Sequence, residues 1–127
     1  MSIIDKNFLS KLLEGEDLSE AYRFQLASAY FDSSERPIWD FVEDFYRRYQ
    51  SLPSKIVVKE QFDLELPEVK EPLEYWATEI LNREVQEKLR ELVVSVDQKI
   101  TIAKPIEAVE LIKQFMLDQQ KLANAIS

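Results

Sequence analysis

From Leu81 to Ile100, the apolar residues Leu81, Val85, Leu89, Leu92, Val96 and Ile100 fall 4, 4, 3, 4 and 4 apart. That spacing places them in one seam along one face of a helix. Pro72 suits the first turn of such a helix, where a missing N–H costs nothing, and no proline or glycine follows before Pro105. A helix from Glu71 to about Ile100 would be roughly 45 Å long at 1.5 Å per residue, far beyond the ordinary helix of ~11 residues. Pro105 opens a second arm. Its seam is Ala108, Ile112, Phe115, Leu122 and Ile126, with Val109, Met116 and Ala123 beside it. Thr101 to Lys104 is long enough only for an antiparallel return. Residues 71–126 are therefore expected to form a long antiparallel helical hairpin.

The rest of the chain narrows the class. At 127 residues, with 46% hydrophobic and 31% charged residues, it is expected to be one globular domain, 1–127. Its only glycine is Gly15, so neither a Walker motif nor a dinucleotide fingerprint can be written, and a sheet rich in tight turns is disfavoured. Histidine and cysteine are absent. Disulfides, thiolate or imidazole metal sites and nucleophiles paired with histidine are thereby excluded. A catalytic carboxylate pair would need two particular acids on one cleft, and nothing selects such a pair. The net charge of −8 works against strong direct contact with nucleic-acid phosphates. Asp5 and Lys6 interrupt the short apolar start, and no long apolar run follows. The expectation is a soluble cytoplasmic protein that neither crosses a membrane nor catalyses a reaction on its own.

Residues 1–66 read as a small globular cluster of helices, so the fold class is all-α. Asp5 is expected to cap a first helix carrying Phe8, Leu9, Leu12 and Leu13, which Gly15 ends. Asp17 and Glu20 form a capping-box-like pair opening a second helix through Tyr22, Leu26, Ala29 and Tyr30. Ser33 or Ser34 caps a third, with Pro37 in its first turn and a core face of Ile38, Phe41, Val42, Phe45 and Tyr49. Ser54 caps a short fourth helix through Val58 and Phe62, and Asp63 to Lys70 is an extended linker.

Tyr30-Phe31, then Ile38-Trp39-Asp40-Phe41-Val42, Tyr46 to Tyr49, Leu52-Pro53-Ser54 and Phe62 together resemble the N-terminal domain of DnaB-type replicative helicases. The likeness is to the phage and phage-like branch, since Arg36-Pro37 stand where many members carry a histidine. It spans roughly Phe8 to Ile126. The resemblance implies a globular head followed by a hairpin that pairs protomers in a collar, building towards a hexameric ring. It also implies docking of primase or a helicase loader on the collar. The ATP- and Mg-dependent motor would lie beyond Ser127, so this chain itself would hold no cofactor.

The seam is read as shared with another chain, because Leu73, Ala77, Ile80, Val93 and Val94 lie off it and also need cover. The expected oligomer contact is Leu81, Val85, Leu89, Leu92 and Val96 with Ile112 and Phe115; a seam closed within the chain is the other possibility. Trp39 and Trp76 read as core anchors, Tyr46 and Tyr49 as half-buried packing, and Glu65, Glu68, Glu71 and Glu74 as a solvated rim. A second function class stays open on charge alone: a stand-alone acidic helical adaptor or DNA mimic.

Overall fold

The computed structural model describes residues 2–15 and 17–126, with side chains as far as Lys121. Among them the fold is all-α: α1 (Ile3–Leu13), α2 (Ser19–Arg23), a 3-10 turn (Ser28–Tyr30), α3 (Arg36–Tyr49), α4 (Lys55–Phe62), α5 (Leu73–Thr101) and α6 (Pro105–Ile126). No helix among the described residues is long and apolar enough to cross a membrane. The chain divides into two compact units, Met1–Ile80 and Leu81–Ser127, so the first two turns of α5 belong to the head.

The head is built on a sealed aromatic cluster. Phe8 of α1, Phe31 and Trp39 of α3 are all buried, with Phe31 stacked on Trp39 at 5.0 Å between centroids and Phe8 at 5.8 Å from Phe31. Leu9, Leu12, Leu18, Phe24, Ile38, Val42 and Val58 are buried in the same unit. Ala77 and Ile80 are fully buried and Leu73 nearly so, which gives these three off-seam residues their cover.

Capping departs from expectation at the first three helices. Ser2, not Asp5, caps α1: its hydroxyl accepts the Asp5 N–H at 3.2 Å. The Asp5 carboxylate is buried and instead accepts the Asp32 N–H at 2.8 Å. Gly15 is not the stop either, for α1 ends at Leu13 with Glu14 in right-handed conformation and Gly15 at no positive φ. Asp17 accepts the Ser19 N–H at 2.9 Å, a local Asx turn rather than a capping box. The second helix also stops early, with Gln25 at φ 57°. The reason is geometric: Phe24 and Leu26 are both buried, yet on a continuous helix they would face nearly opposite ways. The left-handed residue between them turns both inward. At α3 neither Ser33 nor Ser34 caps; Glu35 holds the N-cap position and accepts the Ser34 hydroxyl. Ser54 does cap α4, accepting the Val57 N–H at 3.3 Å.

The extended linker after α4 is gripped through its backbone. The Ser10 hydroxyl donates to the Pro67 carbonyl, and Lys11 Nζ and Lys55 Nζ reach the Val69 and Pro67 carbonyls at 3.5 Å each. Leu66 and Val69 turn inward, while Glu65 and Glu68 stay exposed.

In the second unit, α5 ends in a Schellman arrangement. The Lys104 N–H donates to the Lys99 carbonyl at 2.8 Å and the Ala103 N–H to the Ile100 carbonyl at 3.0 Å, with Ala103 at φ 61°. A left-handed alanine costs about 1 kcal/mol that glycine avoids. Ala103→Gly is therefore expected to stabilise the chain by about 0.5–1 kcal/mol, read as a higher urea midpoint at unchanged slope.

Candidate functional site

The two-helix arm is where the expected contact residues fall. Leu81 is sealed, Val85, Leu92, Val96 and Phe115 are half-buried, and Leu89 and Ile112 are exposed. On α6, Ala108 is buried and Leu111 half-buried, so its covered stripe runs Ala108, Leu111, Phe115. The expected α6 residues Leu122, Ala123 and Ile126 carry side chains outside the described residues. Beside the covered stripes lie bare ones. Val93 is 66% exposed, and Leu89, Ile100, Val109, Ile112 and Met116 are exposed with it. Val94 is also bare, on a different face of α5. An ion pair between Lys99 and Glu107 at 3.7 Å joins the two helices beside the turn.

Charge is divided sharply between the two units. Residues 1–80 contain nine Lys and Arg against seventeen Asp and Glu, whereas residues 81–127 contain seven of each. The whole net charge of −8 belongs to the head, and the arm is neutral. Counting by halves would have found this in the sequence.

The head carries a second aromatic group, and this one is open. Phe41, Phe45 and Tyr49 lie at i, i+4 and i+8 on α3, with ring centroids 6.1 and 4.6 Å apart along the series. Phe62 of α4 meets Phe41 edge-on at 5.5 Å. Phe41, Phe45 and Phe62 are half-buried and Tyr49 is 64% exposed. The expected core face of α3 is thus shifted: Ile38, Trp39 and Val42 form it. Trp76 is half-buried beside exposed Tyr75, less enclosed than a core anchor.

Two clusters have the residue types for chemistry. Oxygens of Asp5, Asp32 and Glu35 lie within 4.8 Å of one another, a spacing a cation could bridge. Their oxygens have structural work: Glu35 accepts the Ser2 N–H at 2.9 Å and the Ser34 hydroxyl, and Asp5 accepts the Asp32 N–H. They act as a joint cap tying the start of α1 to the start of α3. The other is a cleft of about 630 Å³ bordered by Lys11, Glu14, Gly15, Asp17 and Ser19. The hydrogen bond from Lys55, at 2.9 Å, holds the Glu14 carboxyl below the usual carboxylate range, and Lys11 at 3.3 Å adds to it. An acid paired this way is a charged strut, not a proton donor near neutral pH. Elsewhere, burial and then Glu43 raise the Tyr22 phenol, whose hydroxyl donates to Glu43 at 3.1 Å.

The geometry defines a class: an all-α head with a bare-sided helical arm. Comparison with protein-family models, curated proteins and solved structures found no match.

Proposed function

We propose that this chain is a pairing module in which the arm of one copy packs on the arm of a second, as in the collar of a DnaB-type replicative helicase. The observation that carries the reading is the uncovered apolar side of the arm. On α5, exposed Leu89, Val93 and Ile100 form with half-buried Val96 a repeat of 4, 3 and 4, and on α6, exposed Val109, Ile112 and Met116 repeat at 3 and 4. Each stripe sits roughly a quarter turn past its own covered stripe in the direction of chain advance. In the antiparallel return expected from the sequence, both stripes would come to the same side. Counting away from the Lys99–Glu107 pair, such a return would level Val96 with Val109, Val93 with Ile112 and Leu89 with Met116.

The bare side chains amount to roughly 500 Å² of apolar surface, near the top of what monomers leave uncovered. With a polar rim this approaches the ~800 Å² per partner of a standard interface. A neutral arm also brings two copies together without the repulsion that two acidic heads would impose. The heptad-like 4-3 repeat is the spacing that interdigitates in a four-helix arrangement of two arms. The helicase assignment rests on the order of a helical head followed by two long helices, and on the resembling residues. Phe31 and Trp39 stack in the head core, Pro53 is buried, Ser54 caps α4, and Phe41 and Phe62 meet.

In analytical ultracentrifugation at tens of micromolar, the chain is expected to sediment as a dimer. Val93→Glu is expected to weaken dimerisation at least a hundredfold, since it would place a charge in the packed side. The exposure of Val93 in the single chain should leave the melting of that monomer little changed. A chain that stays monomeric at hundreds of micromolar would overturn the proposal.

A further inference from the structure

We infer that the open aromatic ladder of the head is a docking surface for a lysine- or arginine-rich amphipathic helix of a partner protein. Phe45 and Tyr49, 4.6 Å apart, continue the Phe41–Phe62 pair into one line of four rings that are partly or largely wet. The head seals another ring cluster completely, that of Phe8, Phe31 and Trp39, whereas it leaves the ladder rings only partly covered. Large rings kept half in water are what contact surfaces favour, since they supply area with few torsions to freeze. The three rings on α3 repeat every ~6 Å, the rise of four helical residues. An incoming helix with anchors at i, i+4 and i+7 has matching spacing.

Charge selects the occupant. The head holds the entire net charge of −8. At the Phe62 end, the four exposed acids Glu60, Asp63, Glu65 and Glu68 outnumber the nearby cations Lys59, 3.9 Å from Glu65, and Lys55, at the Pro67 carbonyl. At the other end, Arg47 and Arg48 both lean on Asp44, at 3.9 and 3.3 Å. A second copy of this chain would bring another acidic head, and a nucleic acid another polyanion; both are repelled. A basic helix is attracted, and its apolar side has the rings to sit on. The inference stands apart from arm pairing, which uses the other unit.

The test is titration of the 127-residue chain with three labelled eighteen-residue peptides, followed by fluorescence anisotropy. One is an amphipathic leucine–lysine helix, one has glutamate for every lysine, and one has serine for every leucine. The leucine–lysine peptide is expected to saturate one site per chain, at least tenfold tighter than either twin and more weakly as salt rises. Tyr49→Ala and the double change Asp63→Lys with Glu65→Lys, each checked for fold by circular dichroism, are expected to weaken it about tenfold. Val93→Glu should leave it within twofold whatever that change does to the dimer, which separates this surface from the arm. Equal binding of the serine twin, no effect of Tyr49→Ala, or loss of binding in Val93→Glu would each overturn the inference.

Discussion

Replacing Trp39 with alanine is expected to cost about 3–5 kcal/mol and to leave the head partly unfolded at ambient temperature. Trp39 is fully buried, and its ring lies nearly parallel to Phe31, at an interplanar angle of 21°. Phe8 closes the same cluster at 6.3 Å. Removing the indole takes away the largest side chain of the core and leaves a void between two rings that are held by different elements. Neither can move in to fill it without dragging α1 or the segment before α3. Trp39→Phe tests the cause. The indole N–H has no hydrogen-bond partner among the described residues, so losing it forfeits no bond. The phenylalanine variant should thus lose far less stability than the alanine one, and it should keep the ring stack. Urea unfolding followed by far-ultraviolet circular dichroism gives both numbers. Equal losses for the two variants would mean that the indole N–H matters after all.

Glu35→Ala is expected to be the most damaging polar substitution, at about 2–3 kcal/mol. Its carboxylate is fully buried, and its two oxygens accept from Ser2 and Ser34. Its backbone carbonyl accepts from Ile38 at 3.0 Å and Trp39 at 3.1 Å, which the substitution preserves. The side chain therefore does something other than start α3. It holds the first residue of α1's cap, whose own hydroxyl receives Asp5. Alanine would leave the Ser2 N–H without its acceptor and loosen the first turn of α1. Glu35→Gln retains an oxygen for Ser2 and should recover about half the loss. A melting temperature lowered by less than a degree or two in Glu35→Ala would contradict this role.

The parts of this fold that could be read from the residues are those decided locally. Ser54 before a short apolar run caps α4, Pro105 opens α6, and the unbroken stretch after Pro72 becomes one long helix. The parts that escaped were decided by contacts between distant segments. Asp5 looks like a cap until Ser2 takes that place and frees Asp5 for Asp32, a partner 27 positions away. Tyr22 through Tyr30 reads as one helix until both Phe24 and Leu26 must be buried. On the arm, periodicity located the apolar faces but not the division between covered and bare stripes. Leu89 and Ile112 sit near that boundary, and Leu81, the first residue of the second unit, is buried. The open ladder was hidden for a similar reason, since Phe41 and Phe45 share the period of a core face.

The linker between α4 and α5 has its own consequence. Ser10, Lys11 and Lys55 grip it by the carbonyls of Pro67 and Val69, groups every amino acid carries. Leu66 and Val69 are buried and Leu64 is half-buried. The outward positions Glu68 and Glu71 are exposed, and Glu65 makes only a surface ion pair with Lys59, so folding asks little of these side chains. Such a segment can be recoded freely, in nature or at the bench, to change what the surface says without rewriting the architecture beneath it.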